Sequence, residues 1–360
     1  MATKGKPAAK GSLNVDFLKQ LCDTPGVPGR EERLRELVRT YTKGWWDEQY
    51  DDPMGNFIGL VKAAKKPGRN QREKSVAIAC HLDQIGFYVR FVDDEGFLRI
   101  QHAGGFDTRN LFARRVKVIT GSGDLTGIMN PGVKPVHIAT PEERSKIPQV
   151  SDFVIDLCLP KDEVKKLVKP GDPVVLEQHT VEIGDFVSGQ AMDNRISPFI
   201  ALNAIAAAKG QNTYDIWFIG AAQEEVGLRG AQVAAQQLDA EVGIGIDVTL
   251  AVDTPGVEKH EAITRLGDGV GIKVMDSSMI SNRSLFEDFV SLAERKGIKY
   301  QYEILPLGGT DGAALQRFGR SRRAITLSLP CRYIHTIVET VSKADLQASI
   351  DLLAAWLRGE

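Results

Sequence analysis

Four short apolar runs, Ser75 to Cys80, Ile216 to Ala222, Gly243 to Ile246 and Ala324 to Leu329, constrain this chain more than any other feature. A continuous run of small or branched apolar residues has no polar face to turn to water, so each predicts a strand buried on both sides. After Gly189 such strands alternate with helical patterns. Helices are expected at about Ile196 to Ala208, Ala231 to Leu238, Leu285 to Lys296 and Ala344 to Leu357, with a further strand near Gln301 to Leu305. This alternation predicts an α/β fold with a largely parallel sheet between helix layers and ligands gathered outside the carboxyl ends of the strands.

Between Phe87 and Glu182 the texture changes. Phe97 to Ile100, Arg115 to Ile119, Phe153 to Leu157 and Pro173 to Leu176 are short β-type runs separated by Gly, Pro and Asp clusters, with one brief helix near Asp162 to Leu167. A small β-rich module (87–182) is therefore expected inside a discontinuous larger domain (12–86 and 183–360), behind a loose tail (1–11). From Leu13 to about Leu60 the pattern is helical, punctuated by Pro25-Gly26-Val27-Pro28-Gly29 and closed by a strand at Phe57 to Val61.

Composition narrows the function classes. A formal net charge of -2 with 26% charged residues gives no footprint for nucleic acid or a membrane surface. No apolar run approaches 18 residues, and Met1 to Gly11 lacks an apolar core, which argues against a spanning helix or a secretory signal. Cys22, Cys80, Cys158 and Cys331 are scattered without a Cys-x-x-Cys, the pattern expected of buried free thiols in a cytoplasmic protein.

The chemistry lies where the apolar runs end. His81, Asp193, Glu225, Asp247 and His335 each stand at or beside a predicted strand end. Two histidines and three carboxylates without cysteine suit two divalent ions of the zinc or cobalt kind. Singly, each has an ordinary reading: His81-Leu82-Asp83 as strand-end polarity, Asp193 as a helix cap, Asp247 as a strand stop, His335 as a packed ring. Glu224-Glu225 is harder to dismiss. Two adjacent acids leaving an apolar strand meet both repulsion and desolvation, so a cation is needed nearby, with one Glu bound and the other free as a base.

The ordered set His-x-Asp, Gly-x-x-x-Asp-Asn-Arg, Glu-Glu-x-Gly, Asp and His, spread from about Leu13 to Leu357, resembles the tetrahedral (TET) aminopeptidases. These belong to the glutamyl aminopeptidase-like, cellulase-like metallopeptidases of family forty-two. Pro25-Gly26-Val27, Ile85-Gly86-Phe87, Asp253-Thr254-Pro255-Gly256, Gly308-Gly309-Thr310-Asp311 and Tyr333-Ile334-His335-Thr336 extend the match. The resemblance implies a zinc-exopeptidase-like three-layer αβα domain with an inserted β-barrel or PDZ-like domain. It also implies two divalent ions per subunit, zinc first and cobalt or manganese as alternatives. His81 and Asp247 would hold one ion, Glu225 and His335 the other, and Asp193 would bridge them. Glu224 would be the general base, Asp83 the support of His81, and Gly308, Gly309, Thr310 and Asp311 would line the substrate cleft. Gln84 and Asn194 stand where the family often has acids.

The activity implied is removal of N-terminal residues from short peptides, in a homo-oligomer between dimer and dodecamer. A related two-metal deacylase or dipeptidase would use the same ligands. A glycoside hydrolase would need a carboxylate pair but would have no use for the two histidines. His102, His137, His179 and His260 are expected at surface or structural positions, Trp45-Trp46 in packing, and the basic stretch Arg317 to Arg323 on a solvated edge or subunit contact.

Overall fold

All four apolar runs lie side by side at the centre of one eleven-stranded sheet. The structure, a computed structural model, describes residues 13–66, 68, 73–319 and 322–360. The expected tail lies outside them. Along the sheet the order is Glu48–Asp51, Phe57–Val61, Asp215–Ala221, Ser75–His81, Val242–Leu250, Arg323–Arg332, Glu339–Ser342, Phe186–Gly189 and Val181–Ile183. Val270–Met275 pairs Arg323–Arg332 and carries Tyr300–Ile304 outside it. The four central strands are mutually parallel. Antiparallel strands continue the sheet from both sides of that centre.

Side-chain alternation builds the two helix layers. In Ser75–His81, Val76, Ile78 and Cys80 face a core shared with the helices Met192–Ala208, Arg283–Lys296 and Lys343–Leu357, whereas Ala77 and Ala79 face the helices Arg229–Gln237 and Asp311–Arg317. The second face is lined with small residues for a reason. A Cβ on Gly245 would lie 2.6 Å from the Gly312 nitrogen, so only glycine lets the Asp311–Arg317 helix sit directly on the sheet beside Asp247.

The β-rich segment is a closed six-stranded barrel, in the order Gly86–Val92, Leu98–Ala103, Phe153–Asp156, Gly123–Pro131, Arg114–Thr120 and Pro173–Leu176, with Phe87, Phe153 and Val116 in its core. Glu48–Asp51, in the stretch read as helical, is a fully exposed edge strand whose side chains carry no apolar alternation. Trp46 packs against Phe57 and Phe218.

Two expectations need correcting. Cys158 is exposed, while Cys22, Cys80 and Cys331 are buried. Arg322 is also buried instead of solvated: its guanidinium donates to the carbonyls of Ala235, Leu238, Ala240 and Phe318 and so closes the end of the Arg229–Gln237 helix. Arg323 pairs with Glu73 and Asp288, and Arg320 and Ser321 lie outside the described residues. No helix among the described residues is long and apolar enough to cross a membrane.

Candidate metal centre and substrate cleft

Strand register brings the ligand-type residues to one level. Ala221 pairs with His81, and Gly245 with Ala79, so Asp247 two residues on is level with His81. Glu224 and Glu225 follow the first strand, Asp193 opens the Met192–Ala208 helix, and His335 lies in the turn between Arg323–Arg332 and Glu339–Ser342.

His81 Nδ1 donates to the main-chain oxygen of Asp83 at 3.1 Å, which leaves Nε2 for the centre. Nε2 is 3.3 Å from Asp193 Oδ1, 3.7 Å from Glu224 Oε2 and 3.8 Å from Asp247 Oδ1. His335 Nε2 is 3.4 Å from Asp193 Oδ2 and 3.5 Å from Glu225 Oε2. Asp193 therefore turns one oxygen to each histidine. Ligand atoms of His81, Glu224 and Asp247, and of His81, Asp193 and Glu225, lie within 4.8 Å of one another. Glu224 is as near to His81 as Asp247 is, so six groups, not five, converge.

The carboxylate of Asp83 is 3.6 Å from the His81 ring, and its hydrogen bonds go elsewhere. It accepts the main-chain N–H of Glu224 at 3.0 Å and of Glu225 at 3.1 Å. Two further acids do the same work, and no motif marked them. Glu339 accepts the N–H of Asp193 at 2.9 Å and of His335 at 2.7 Å. Glu31 accepts the N–H of Gly29 at 2.7 Å and of Gln223 at 3.1 Å. The available signal was weak: an acid opening a short β-type run four residues after His335, and an acid just after a Pro-Gly turn.

These donors sit on unusual backbone. Among the described non-glycine residues with left-handed φ are Ala191, Gln223, Leu228, Tyr333 and His335, each within three residues of a ligand-type side chain. Such conformations cost about 1–3 kcal/mol each and persist where surrounding contacts dictate them. Asn194 donates from Nδ2 to the Ile246 carbonyl at 3.0 Å, a bond an ionised aspartate could not make, and so ties Asp193 to the Asp247 strand. Gln84 accepts from the buried Arg195, which also holds the carbonyls of Leu21, Thr24 and Gly26.

Charge in the centre is one-sided. Burial pushes Glu224, Glu225 and Asp247 well above the usual carboxylate range, and neighbouring acids push them further. Burial works against a charged His81, yet Glu224, Asp193, Asp83 and Asp247 hold it well above an ordinary histidine. His335 is raised to about 10 against its own burial, chiefly by Asp193, whose own pKa is lowered by the two histidines. Glu225 Oε1 is buried without a hydrogen-bond partner. An acid-rich cluster with imidazole nitrogens and an orphaned carboxylate oxygen fits divalent cations by donor type and by charge.

The cluster forms one wall of a cavity of about 520 Å³. Gly308, Gly309 and Thr310 line it. Asp311 does not; it is buried behind, with neither carboxylate oxygen hydrogen-bonded, and burial raises it to about 7. His102, His137, His179 and His260 are exposed and away from the cavity.

Residues 59–352 match the family model described as M42 glutamyl aminopeptidase. The chain is 30% identical to the lysyl aminopeptidase of Pyrococcus furiosus over 351 residues, 96% of this chain and 97% of that protein. It superposes on an aminopeptidase from the archaeon Desulfurococcus kamchatkensis with a TM-score of 0.89 at 32% identity, covering 96% of this chain and 94% of the other. The TET1 peptidase of Pyrococcus horikoshii, which can assemble into a tetrahedron or a large octahedral shell, matches with a TM-score of 0.83 at 30% identity, over 95% and 98% of the two chains.

Proposed function

The chain belongs to the M42 glutamyl aminopeptidase family of metallo-aminopeptidases, and we propose that it removes N-terminal residues from short peptides at the His81–His335 centre. In this reading His81 and Asp247 would hold one divalent ion and Glu225 and His335 a second, with Asp193 contributing to both; zinc would suit the donors best, with cobalt or manganese as alternatives. The observation that carries it is the split of the Asp193 carboxylate, one oxygen toward each histidine.

When bound, the ions supply Lewis acidity toward the peptide carbonyl and make water a stronger acid. The chain's own residues do the rest. Glu224 stands at the cavity wall beside His81, so its carboxylate would be placed to take a proton from the attacking water and return it to the departing amine. Asp83 fixes where that carboxylate lies, because it holds the main-chain N–H groups of Glu224 and Glu225. Gly308, Gly309 and Thr310 face the same cavity and would hold the substrate main chain.

Glu224→Gln tests the division of labour. It should keep two bound zinc ions per chain by elemental analysis while kcat falls about 10²–10⁴-fold. Loss of one ion would make Glu224 a ligand and sink its role as base. Assembly into a homo-oligomer, between dimer and dodecamer, is part of the proposal and is read directly by light scattering on the eluted peak; a monomer at micromolar concentration would remove it.

A further inference from the structure

Resting on the aminopeptidase reading above, we propose that the cleft selects peptides whose N-terminal side chain is aliphatic. Away from the acid and histidine cluster, the cavity wall is built by Leu228, Val248, Leu250, Leu305, Leu307 and Ile334. Thr249 and Thr310 are the other polar side chains on it. Among the described lining residues, no lysine, arginine or additional carboxylate reaches the space.

The placement is systematic. Leu228 follows Glu225 by three residues, Val248 follows Asp247 directly, and Ile334 precedes His335, so aliphatic residues on three separate segments adjoin the centre and line the cavity. Leu305 and Leu307, from the turn after Tyr300–Ile304, line the same cavity next to Gly308. Val248 and Leu305 are 7% and 9% exposed, whereas Leu250 at 39% and Leu307 at 80% are open to solvent.

In this proposal a peptide whose amine lies at the cluster sends its first side chain against this wall. An aliphatic chain gains burial there. On the aliphatic part of the wall a lysine ammonium or glutamate carboxylate would leave water without an opposite charge beside it: the acids among the described lining residues are those of the metal cluster, which the ions would engage, and two threonine hydroxyls do not replace a charge. Burying a leucine-sized side chain corresponds to roughly 10- to 100-fold in kcat/KM over a residue that cannot use the wall.

The test is a panel of aminoacyl-anilides of Leu, Met, Ala, Lys and Glu, measured on the full chain loaded in turn with zinc, cobalt and manganese. Competition by free leucine, lysine and glutamate is measured on the same protein. Leu and Met should exceed Lys and Glu by roughly 10- to 100-fold, and free leucine should be the tightest of the three competitors. Leu250→Glu, at a solvent-exposed lining position, should shift the ratio toward lysine by about two- to fivefold, the worth of a partly exposed ion pair. Because competition uses the unaltered chain, the inference stays testable if this variant fails to fold. Lys or Glu cleaved as well as Leu would overturn the assignment of the wall and leave the aminopeptidase reading standing. No cleavage of any substrate with any metal would overturn both.

Discussion

Glu339→Gln separates a residue that positions the metal centre from one that merely fills the core. The Glu339 carboxylate is buried and receives two main-chain N–H groups, one from Asp193 and one from His335, so a single side chain joins the loops that carry both. Glutamine offers one acceptor oxygen and must turn its NH2 toward the other donor. One hydrogen bond to a charged group is lost, worth about 1.5–3 kcal/mol. A gain opposes this loss. Burial and the Asp193 charge raise Glu339 to about 8 even though its two N–H donors and His335 pull it down, so neutralising it relieves repulsion in the metal-free chain. The unfolding midpoint of stripped protein should therefore move little. Zinc affinity, measured by competition with a chromophoric chelator, should fall about 10–100-fold, as when other partners that orient metal ligands are removed. Asp83→Asn should behave alike on the Glu224–Glu225 loop. A variant with wild-type zinc affinity and a lowered metal-free midpoint would refute the positioning role and leave Glu339 a packing residue.

Other perturbations probe the fold and the centre. Lys273 is fully buried with its Nζ 2.5 Å from Glu303 Oε1 and 3.3 Å from Asp276 Oδ2, so Lys273→Met should cost about 3–5 kcal/mol in urea unfolding; a cost below 1 kcal/mol would show that the acids shed their charge freely. Burial pushes Asp253 up, but the two-pronged Arg332 contact and the Leu266 N–H outweigh it and hold its pKa below the usual value. Its folded pKa being depressed, this stabilisation is present above about pH 4 and is lost as pH falls through the folded value. Asp253→Asn should accordingly be less stable than wild type near pH 6 and lose that difference toward pH 2, and parallel midpoint-versus-pH curves would count against it. Zinc added to stripped chain at a hundredfold excess over its Kd should stabilise by about 2.7 kcal/mol per site; an unchanged thermal midpoint would mean that the acid cluster does not bind it.

What could be read from the sequence, and what could not, divides along a physical line. That His81, Asp193, Glu225, Asp247 and His335 converge was legible only from the set, because each alone has an ordinary strand-end or cap reading, whereas two histidines and three acids in that order suit few partners other than cations. The parallel strands were legible singly, since they are buried on both faces. Glu31, Glu339 and the actual bonds of Asp83 were not legible, because their partners are main-chain N–H groups, which nearly every residue has and no motif records. Arg322 misled in the same way: a basic stretch suggests solvent, yet its partners are the bare carbonyls at a helix end. Glu48–Asp51 left no trace because an exposed edge strand needs no apolar face.

This division bears on how the centre is held. Glu31, Asp83, Asp193, Glu224, Glu225, Asp247, Asp311 and Glu339 crowd eight carboxylates around His81 and His335. Asp83 and Glu339 spend both oxygens on main-chain donors of the ligand loops, and Glu31 joins the Gly29 and Gln223 N–H groups through one of its own. Clamps of that kind add negative charge to a site already short of positive charge, which is costly unless cations offset it. The same acids that fix the ligand geometry thus make the metal-free centre repulsive. Rigidity and cation affinity are therefore two results of one arrangement, and removing a clamp should weaken both together.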